Sequence, residues 1–241
     1  MAEKRNIIDI HTHILPGIDD GSKNWDMTIE MARISWQKGV RKIIATPHYL
    51  PWRPETNPNQ IKTLCKDAEK KIQEALGIQM GIYSGQEIYY HLDMLDNLKK
   101  QKIQTMNDSN YLLIEFDTSI SWRELKHAAQ TTINAGYKPI LAHVERYDCL
   151  REKGRVDELS ATGAHLQINV RSLSGGIFDS DTNWSRKQVK AGKIAFLASD
   201  MHNLTSRRPY NSKGLEWFEK KMPEATVENL LCRNANKYFG I

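Results

Sequence analysis

Seven short apolar runs punctuate the chain: IIDI (7–10), VRKIIAT (40–46), MGIYSG (80–85), YLLIEF (111–116), KPILAH (138–143), HLQINV (165–170) and KIAFLAS (193–199). Each is rich in Ile, Leu, Val or Tyr, as strands buried in a parallel sheet tend to be. The stretches between them, such as WDMTIEMARISWQKG and SWRELKHAAQTTINAG, place apolar residues at helical spacing and end in glycine, a common helix stop. Strand and helix alternate along the whole chain, with no repeat or low-complexity segment. This pattern predicts an α/β fold with a parallel sheet, and 241 residues allow one large domain or two small ones.

Seven such strands can form an open doubly wound sheet or a closed barrel, and the polar residues discriminate. An open sheet gathers them at one switch point, whereas a barrel draws them from the C-terminal ends of many strands. Here they follow almost every run. His11 and His13 follow the first, His48 the second and Glu87 the third; Glu115 lies in the fourth, His143 ends the fifth, and Asp200 and His202 follow the seventh. The expectation is therefore a barrel.

Residues i and i+2 of a strand share a face, so His11 pairs with His13 and Asp200 with His202. One HxH is weak evidence, because a histidine is usually a satisfied surface or core residue. Ligand-type side chains at the same end of successive strands are another matter. They describe a mixed nitrogen and oxygen metal site, and the set is too large for the three protein ligands of a single tetrahedral catalytic metal. Two metals can share a carboxylate, for which Glu87 is placed, and lower the pKa of bound water towards about 7. Metal-assisted hydrolysis is the implied reaction class. Arg146 and Arg207, three and five residues beyond His143 and His202, suit a bidentate grip on phosphate.

Composition narrows the classes further. Of 241 residues, 34 are Lys or Arg and 29 Asp or Glu; the resulting charge of +5 comes without the long basic run that nucleic-acid binding would need. No apolar run approaches the roughly 18 residues of a membrane span, and the N-terminal MAEKRNIIDI has no signal-peptide core. These features lead us to expect a cytoplasmic protein without membrane insertion. Three scattered cysteines without a CxxC pair indicate neither a disulfide framework nor a cysteine zinc knuckle. Cys149 and Arg155 do match C-x5-R, the spacing of cysteine-dependent tyrosine phosphatases. That mechanism needs a depressed thiol pKa, which the neighbouring Asp148 and Glu152 disfavour.

The segments DIHTHILPGIDDGS, ATPH, GQEIYY, IEF, AHVERY and ASDMHNLTSRRP resemble, in order, the motifs of the PHP (polymerase and histidinol phosphatase) superfamily. Within it they look like the bacterial manganese-dependent tyrosine-protein phosphatases of capsular and extracellular polysaccharide clusters. ILPGIDDGS is the most specific part, and the likeness runs from about residue 6 to the C-terminal helix. The resemblance implies a single domain over residues 1–241, a distorted seven-stranded (β/α) barrel of TIM-like form, the PHP fold, with up to three metals. His11, His13, Glu87 and Asp200 would hold the first; Glu87, Glu115 and His143 the second; His48, His202 and Asp20 the third, with Asp19 the alternative to Asp20. Arg146 matches the phosphate-gripping arginine, and Arg207 matches by spacing, with Arg208 an adjacent alternative. A metal-activated hydroxide would attack phosphorus in line, making Cys149 dispensable. Two or three Mn2+ ions are implied, although a His and carboxylate site also takes iron or zinc. The implied substrate is phosphotyrosine on a membrane-associated bacterial tyrosine kinase that controls polysaccharide synthesis.

Histidinol phosphatase and exonuclease-like activities of the same superfamily are the nearest rivals. An amidohydrolase barrel commonly uses a carboxylated lysine where this chain offers Glu115, and a non-catalytic scaffold would have lost ligands. His91, His127 and His165 are assigned to surface or packing. Tyr89, Tyr90 and the proline-rich PWRPETNP (51–58) are candidate borders of the site mouth.

Overall fold

The computed structural model describes residues 5–53, 56–210 and 212–241, so Pro54 and Glu55 of the proline-rich stretch lie outside the described residues. All seven apolar runs form strands, and two further short strands bring the number to nine among the described residues. They are β1 (Ile7–Thr12), β2 (Val40–Ala45), β3 (His48–Tyr49), β4 (Gly81–Ser84), β5 (Glu87–Tyr89), β6 (Tyr111–Glu115), β7 (Lys138–Leu141), β8 (His165–Asn169) and β9 (Phe196–Ala198). Every pairing between these strands is parallel, as the runs suggested.

The strands make two sheets, where one continuous seven-stranded sheet was expected: β1-β2-β4, and β3-β5-β6-β7-β8-β9. The division has a local cause. β2 and β4 stop at paired residues, Ala45 and Ser84, and the chain resumes as the paired β3 and β5. Pro47 sits in the gap without an N–H to offer a ladder. Gly85 sits in the matching gap, where a Cβ would lie 2.8 Å from Ile44 Cγ2 and 2.9 Å from Met106 Sδ. The break leaves His48 directly opposite Glu87.

Helices connect the strands. The two stretches with the clearest helical spacing become α1 (Trp25–Gln37) and, after the short connection and α2 (Pro58–Leu76) and α3 (Met94–Lys99), α4 (Trp122–Asn134). The Asn24 side chain caps α1 by accepting from the Met27 N–H, and Ser121 and Glu124 form a reciprocal capping box on α4. The remaining helices are α5 (Arg155–Ala161), α6 (Ser180–Lys190), α7 (Ser212–Lys221), α8 (Glu224–Glu228) and α9 (Asn234–Phe239).

Alternation along the strands produces two apolar regions. Leu112, Ile114, Leu141, Ile168 and Leu197 pack outward with helix residues such as Met31, Ile61, Ile72 and Leu125. Their neighbours Tyr111, Leu113, Ile140, Phe196 and Ala198 meet Ile8, Ile10 and Ile44 in an inner cluster, closed below by Ala235 and Phe239. The strand ends above that inner cluster carry the polar residues. There the segment after β9 also meets β1: Asp200 N–H donates to His11 O at 2.9 Å, and His13 N–H to Met201 O at 2.9 Å.

Candidate metal centre

The loop after β1 shapes one wall of the centre. His13 O accepts the Ser22 N–H at 3.0 Å, and Gly17 N–H donates to Ser22 O at 2.7 Å, closing residues 13–22 on themselves. Gly21 has no substitute there, because a Cβ would fall 2.2 Å from His13 O and 2.5 Å from His13 Cβ. On the opposite wall, His143 and Asp200 hold left-handed backbone conformations, with φ of 32° and 51°. Side chains other than glycine adopt these at some cost in strain, and such residues cluster at functional sites.

These turns bring all nine expected ligand residues to one place. One ligand atom from each of His11, His13, Glu87 and Asp200 lies within 4.8 Å of the others, and all four side chains are buried. A second group joins His13, Asp20, His48 and His202, and a third joins His48, Glu87 and Glu115, at the same spacing. His143 Nε2 approaches that third group, at 2.9 Å from Glu87 Oε1 and 3.3 Å from Glu115 Oε1. Glu87 lies at the middle: its Oε2 is 3.1 Å from a nitrogen of each of His11, His13 and His48.

The pair Asp19 and Asp20 separates by geometry. Asp19 Oδ2 is 2.7 Å from His13 Nδ1 and accepts the His48 N–H at 3.1 Å, while its Oδ1 accepts the Gly21 N–H at 2.8 Å. It is buried behind His13 and orients that ring. Asp20 Oδ1 instead faces His48 Nε2 and His202 Nε2, at 3.4 Å from each. The arginines separate too. Arg146 and Arg207 each donate to Asp200, at 2.6 and 2.7 Å, whereas the exposed Arg208 donates to Thr205 O and is turned away from the centre.

The electrostatics follow from crowding. Burial disfavours charge on His13, yet Asp19 and Glu87 outweigh it and lift the imidazole to about 10. His143 is raised to about 9, as Glu115 and Glu87 overcome burial. His202 falls to about 4 through burial and the neighbouring His13. Burial opposes ionisation of Asp200, but the neighbouring His11, His143 and Arg146 hold its carboxyl below the usual range.

The donor set is imidazole nitrogen and carboxylate oxygen alone, which suits divalent cations of the Mn, Fe and Zn kind. Glu87 Oε2, His48 Nδ1 and His202 Nε2 are buried and, although each faces a group of opposite kind at 3.1 to 3.4 Å, none makes an aligned hydrogen bond. Buried polar atoms are paired nine times in ten, so three orphans in one cluster fit bound cations.

A cavity of about 390 Å³ opens beside His48, Asp20 and Glu115, lined on its outer side by Ile18, Trp52 and Tyr89. Trp52 meets Tyr89 edge-on, ring centroids 4.9 Å apart, and is 67% exposed. Tyr89 thus borders this cavity. His165 packs against Tyr111 and Tyr238, and His91 bonds Tyr89 O and Asn97, so both keep their bland roles. His127 lines a separate surface hollow with Leu92 and Phe116.

The C-x5-R motif builds no phosphate loop. Burial raises the Cys149 thiol, and Arg155 is spent on Cys149 O and Glu152. Sequence reading missed Gln167, Asn169 and Glu145, all buried beneath the centre. The signal was available in HLQINV, where polar residues two apart interrupt an otherwise apolar strand.

Residues 7–240 match the family model described as capsular polysaccharide synthesis, CpsB/CapC. The chain is 34% identical over 237 residues to the tyrosine-protein phosphatase CpsB of Streptococcus pneumoniae, covering 96% of this chain and 97% of that protein. It is also 34% identical over 235 residues to the tyrosine-protein phosphatase YwqE of Bacillus subtilis, covering 95% and 92%. A crystal structure from a study of YwqE and CpsB, which calls them unique metal-dependent tyrosine phosphatases, superposes with a TM-score of 0.87. Its sequence identity is 32%, and the match covers 97% of this chain and 94% of that one.

Proposed function

The chain belongs to the capsular polysaccharide synthesis family CpsB/CapC, and from that premise we propose that it is a metal-dependent tyrosine-protein phosphatase. The observation that carries the reading is the meeting of nine imidazole and carboxylate side chains beside an aromatic-lined cavity. His11, His13, Glu87 and Asp200 would hold one cation, Glu87, Glu115 and His143 a second, and His48, His202 and Asp20 a third. Manganese is the proposed ion. Bound cations of this kind activate water near neutral pH and neutralise charge developing on a phosphoryl group.

The chain's own residues do the rest. Asp19 fixes the His13 ring through Nδ1 and leaves Nε2 directed into the cluster. Arg146 and Arg207 stand at the rim, and one ion pair to Asp200 does not exhaust the five N–H donors of a guanidinium, so both can take phosphate oxygens. Trp52, Tyr89 and Ile18 offer the leaving tyrosyl ring an apolar wall.

The proposal extends to the substrate, a phosphotyrosine segment of a membrane-associated bacterial tyrosine kinase that governs polysaccharide synthesis, met from the cytoplasm. No described helix is long and apolar enough to cross a membrane. The whole chain is read as one metallophosphatase domain. Its seven staves, with β2/β3 and β4/β5 counted as two broken ones, form a distorted barrel closing where Thr12 bridges Met201.

Phosphate release from a phosphotyrosine peptide tests the reading, with Mn2+ supplied and again after chelation. Activity that chelation removes and Mn2+ restores, undiminished in Cys149→Ser, is the expected outcome. Release from histidinol phosphate but not from the peptide would replace it with the sister activity, and loss of turnover in Cys149→Ser would overturn the metal chemistry.

A further inference from the structure

Strand β8 carries two amide side chains, Gln167 and Asn169, that the proposed chemistry leaves unused, both wholly buried. Burying an amide is costly unless its polar atoms are paired, and a parallel strand would ordinarily hold Val or Ile there. Neither residue leaves an unpartnered side-chain oxygen or nitrogen. Their hydrogen bonds can be followed atom by atom from one fixed point.

That point is the His143 backbone N–H, which reaches one terminal atom of Gln167 at 2.9 Å. A backbone N–H can only donate, so this atom is the carbonyl oxygen Oε1 and the other is the NH2 group. The same Oε1 lies 3.1 Å from His11 Nδ1. An amide oxygen cannot donate, so Nδ1 carries the proton. His11 Nε2 is then the nitrogen available to give a lone pair to a cation, in the space it shares with Glu87 Oε2 at 3.1 Å and Asp200 Oδ1 at 3.5 Å. In the other direction, Gln167 Nε2 donates to Asn169 Oδ1 at 2.9 Å, which turns Asn169 Nδ2 to donate to Asp200 Oδ2 at 2.8 Å. Asn169 is itself pinned, its backbone N–H donating to the buried Glu145 Oε1 at 3.1 Å.

We propose that Gln167 and Asn169 are positioning residues: a single amide relay, its polarity set by one backbone N–H, selects the His11 tautomer and the Asp200 orientation together. The two ends of the relay are residues assigned above to the same cation, so the inference rests on that reading for its consequence. It explains how partners far apart in the sequence acquire matching lone pairs before any ion arrives. Both amides act through the side chains they hold.

The direct readout is heteronuclear NMR of the histidine rings in chelated protein, backed by Mn2+ titration of three variants. Wild-type His11 should show a slowly exchanging Nδ1–H. Gln167→Met, similar in volume but without the amide, should lose that signal and bind Mn2+ about 10- to 100-fold more weakly. Gln167→Glu keeps an acceptor for His11 but cannot donate to Asn169, so it should retain the Nδ1–H. Asn169→Leu should weaken Mn2+ binding while leaving the His11 signal in place. A His11 ring protonated on Nε2 alone would overturn the relay, as would a folded Gln167→Met that binds Mn2+ as tightly as wild type. Should Gln167→Met not fold, the wild-type ring and Asn169→Leu still decide. A wild-type chain that binds no divalent cation would remove the metal reading of the preceding section, while the tautomer measurement on chelated protein would judge the relay separately.

Discussion

Two layers of the same strands, about two residues apart, obey opposite rules. In β6 the inward side chains run Tyr111, Leu113, Glu115, and from β9 onward they run Phe196, Ala198, Asp200. The lower layer is apolar and closed by Phe239, with Phe196 stacked on it at 5.7 Å. The upper layer crowds carboxylates and imidazoles into one cluster and holds His143 and Asp200 in left-handed backbone. A step along a strand of roughly 7 Å therefore separates packing from chemistry. The lower layer supplies stability, and its low dielectric sharpens every charge interaction above it. The upper layer stores cost that a bound cation or substrate can relieve.

The largest effects should come from swapping damage between the layers. His11→Ala should abolish phosphatase turnover with melting temperature unchanged or raised, since it thins a crowded polar cluster. Phe196→Ala should do the reverse, costing about 3–5 kcal/mol of stability through the cavity it leaves, while surviving folded molecules still bind Mn2+. Calorimetry beside a steady-state assay checks both, and equal loss of stability from the two would erase the distinction.

A smaller effect sharpens the boundary of the upper layer. Arg207→Ala should lower kcat/KM for a phosphotyrosine peptide by roughly 10- to 100-fold, matching the loss of a charged hydrogen bond worth about 1.5–3 kcal/mol. Arg208→Ala, next door but bonded outward to Thr205 O, should change it less than twofold by the rule for exposed surface charges. Equal losses in the two variants would mean that the phosphate reaches both.

The gentlest test uses pH on chelated protein, because the raised imidazoles of the upper layer and the lowered ones, His202 in that layer and His165 on the lower one, act at opposite ends of the pH range. In the upper layer, His13 at about 10 and His143 at about 9 stand above the ordinary 6.5. The folded state thus binds these protons more tightly than the unfolded chain. That stabilisation is complete below about 6.5 and is lost as pH rises through about 9 to 10. His165, packed on the lower layer, is lowered by burial and then by Lys138, so its contribution is present above 6.5 and fades as pH falls. Melting temperature with chelator should decline from neutral pH towards pH 10, and His165→Phe should reduce the slope on the acidic side, where the share of His202 remains, without changing the alkaline side. A melting temperature that instead climbs into alkali would contradict the proposed protonation of the upper layer.

Much of this was legible in the residues. Buried parallel strands need apolar runs, and catalytic side chains of such folds stand at strand ends, so HTH, ATPH, GQE, IEF, AHVER and SDMH mark the cluster by residue type and position alone. The two extra strands were less visible, because Pro47 and Gly85 lie far apart in the sequence and only strand pairing sets their two gaps side by side. Element type, ligand chemistry and the end of the fold that bears function are local properties, carried by periodicity and residue type. Choices between near equals are different. Asp20 rather than Asp19 at the centre, Arg207 rather than Arg208 at the rim, and the proton on His11 Nδ1 were decided only in three dimensions. Each depends on which donor or acceptor faces the group from another strand, as with Gln167, 156 residues from His11 and one hydrogen bond away.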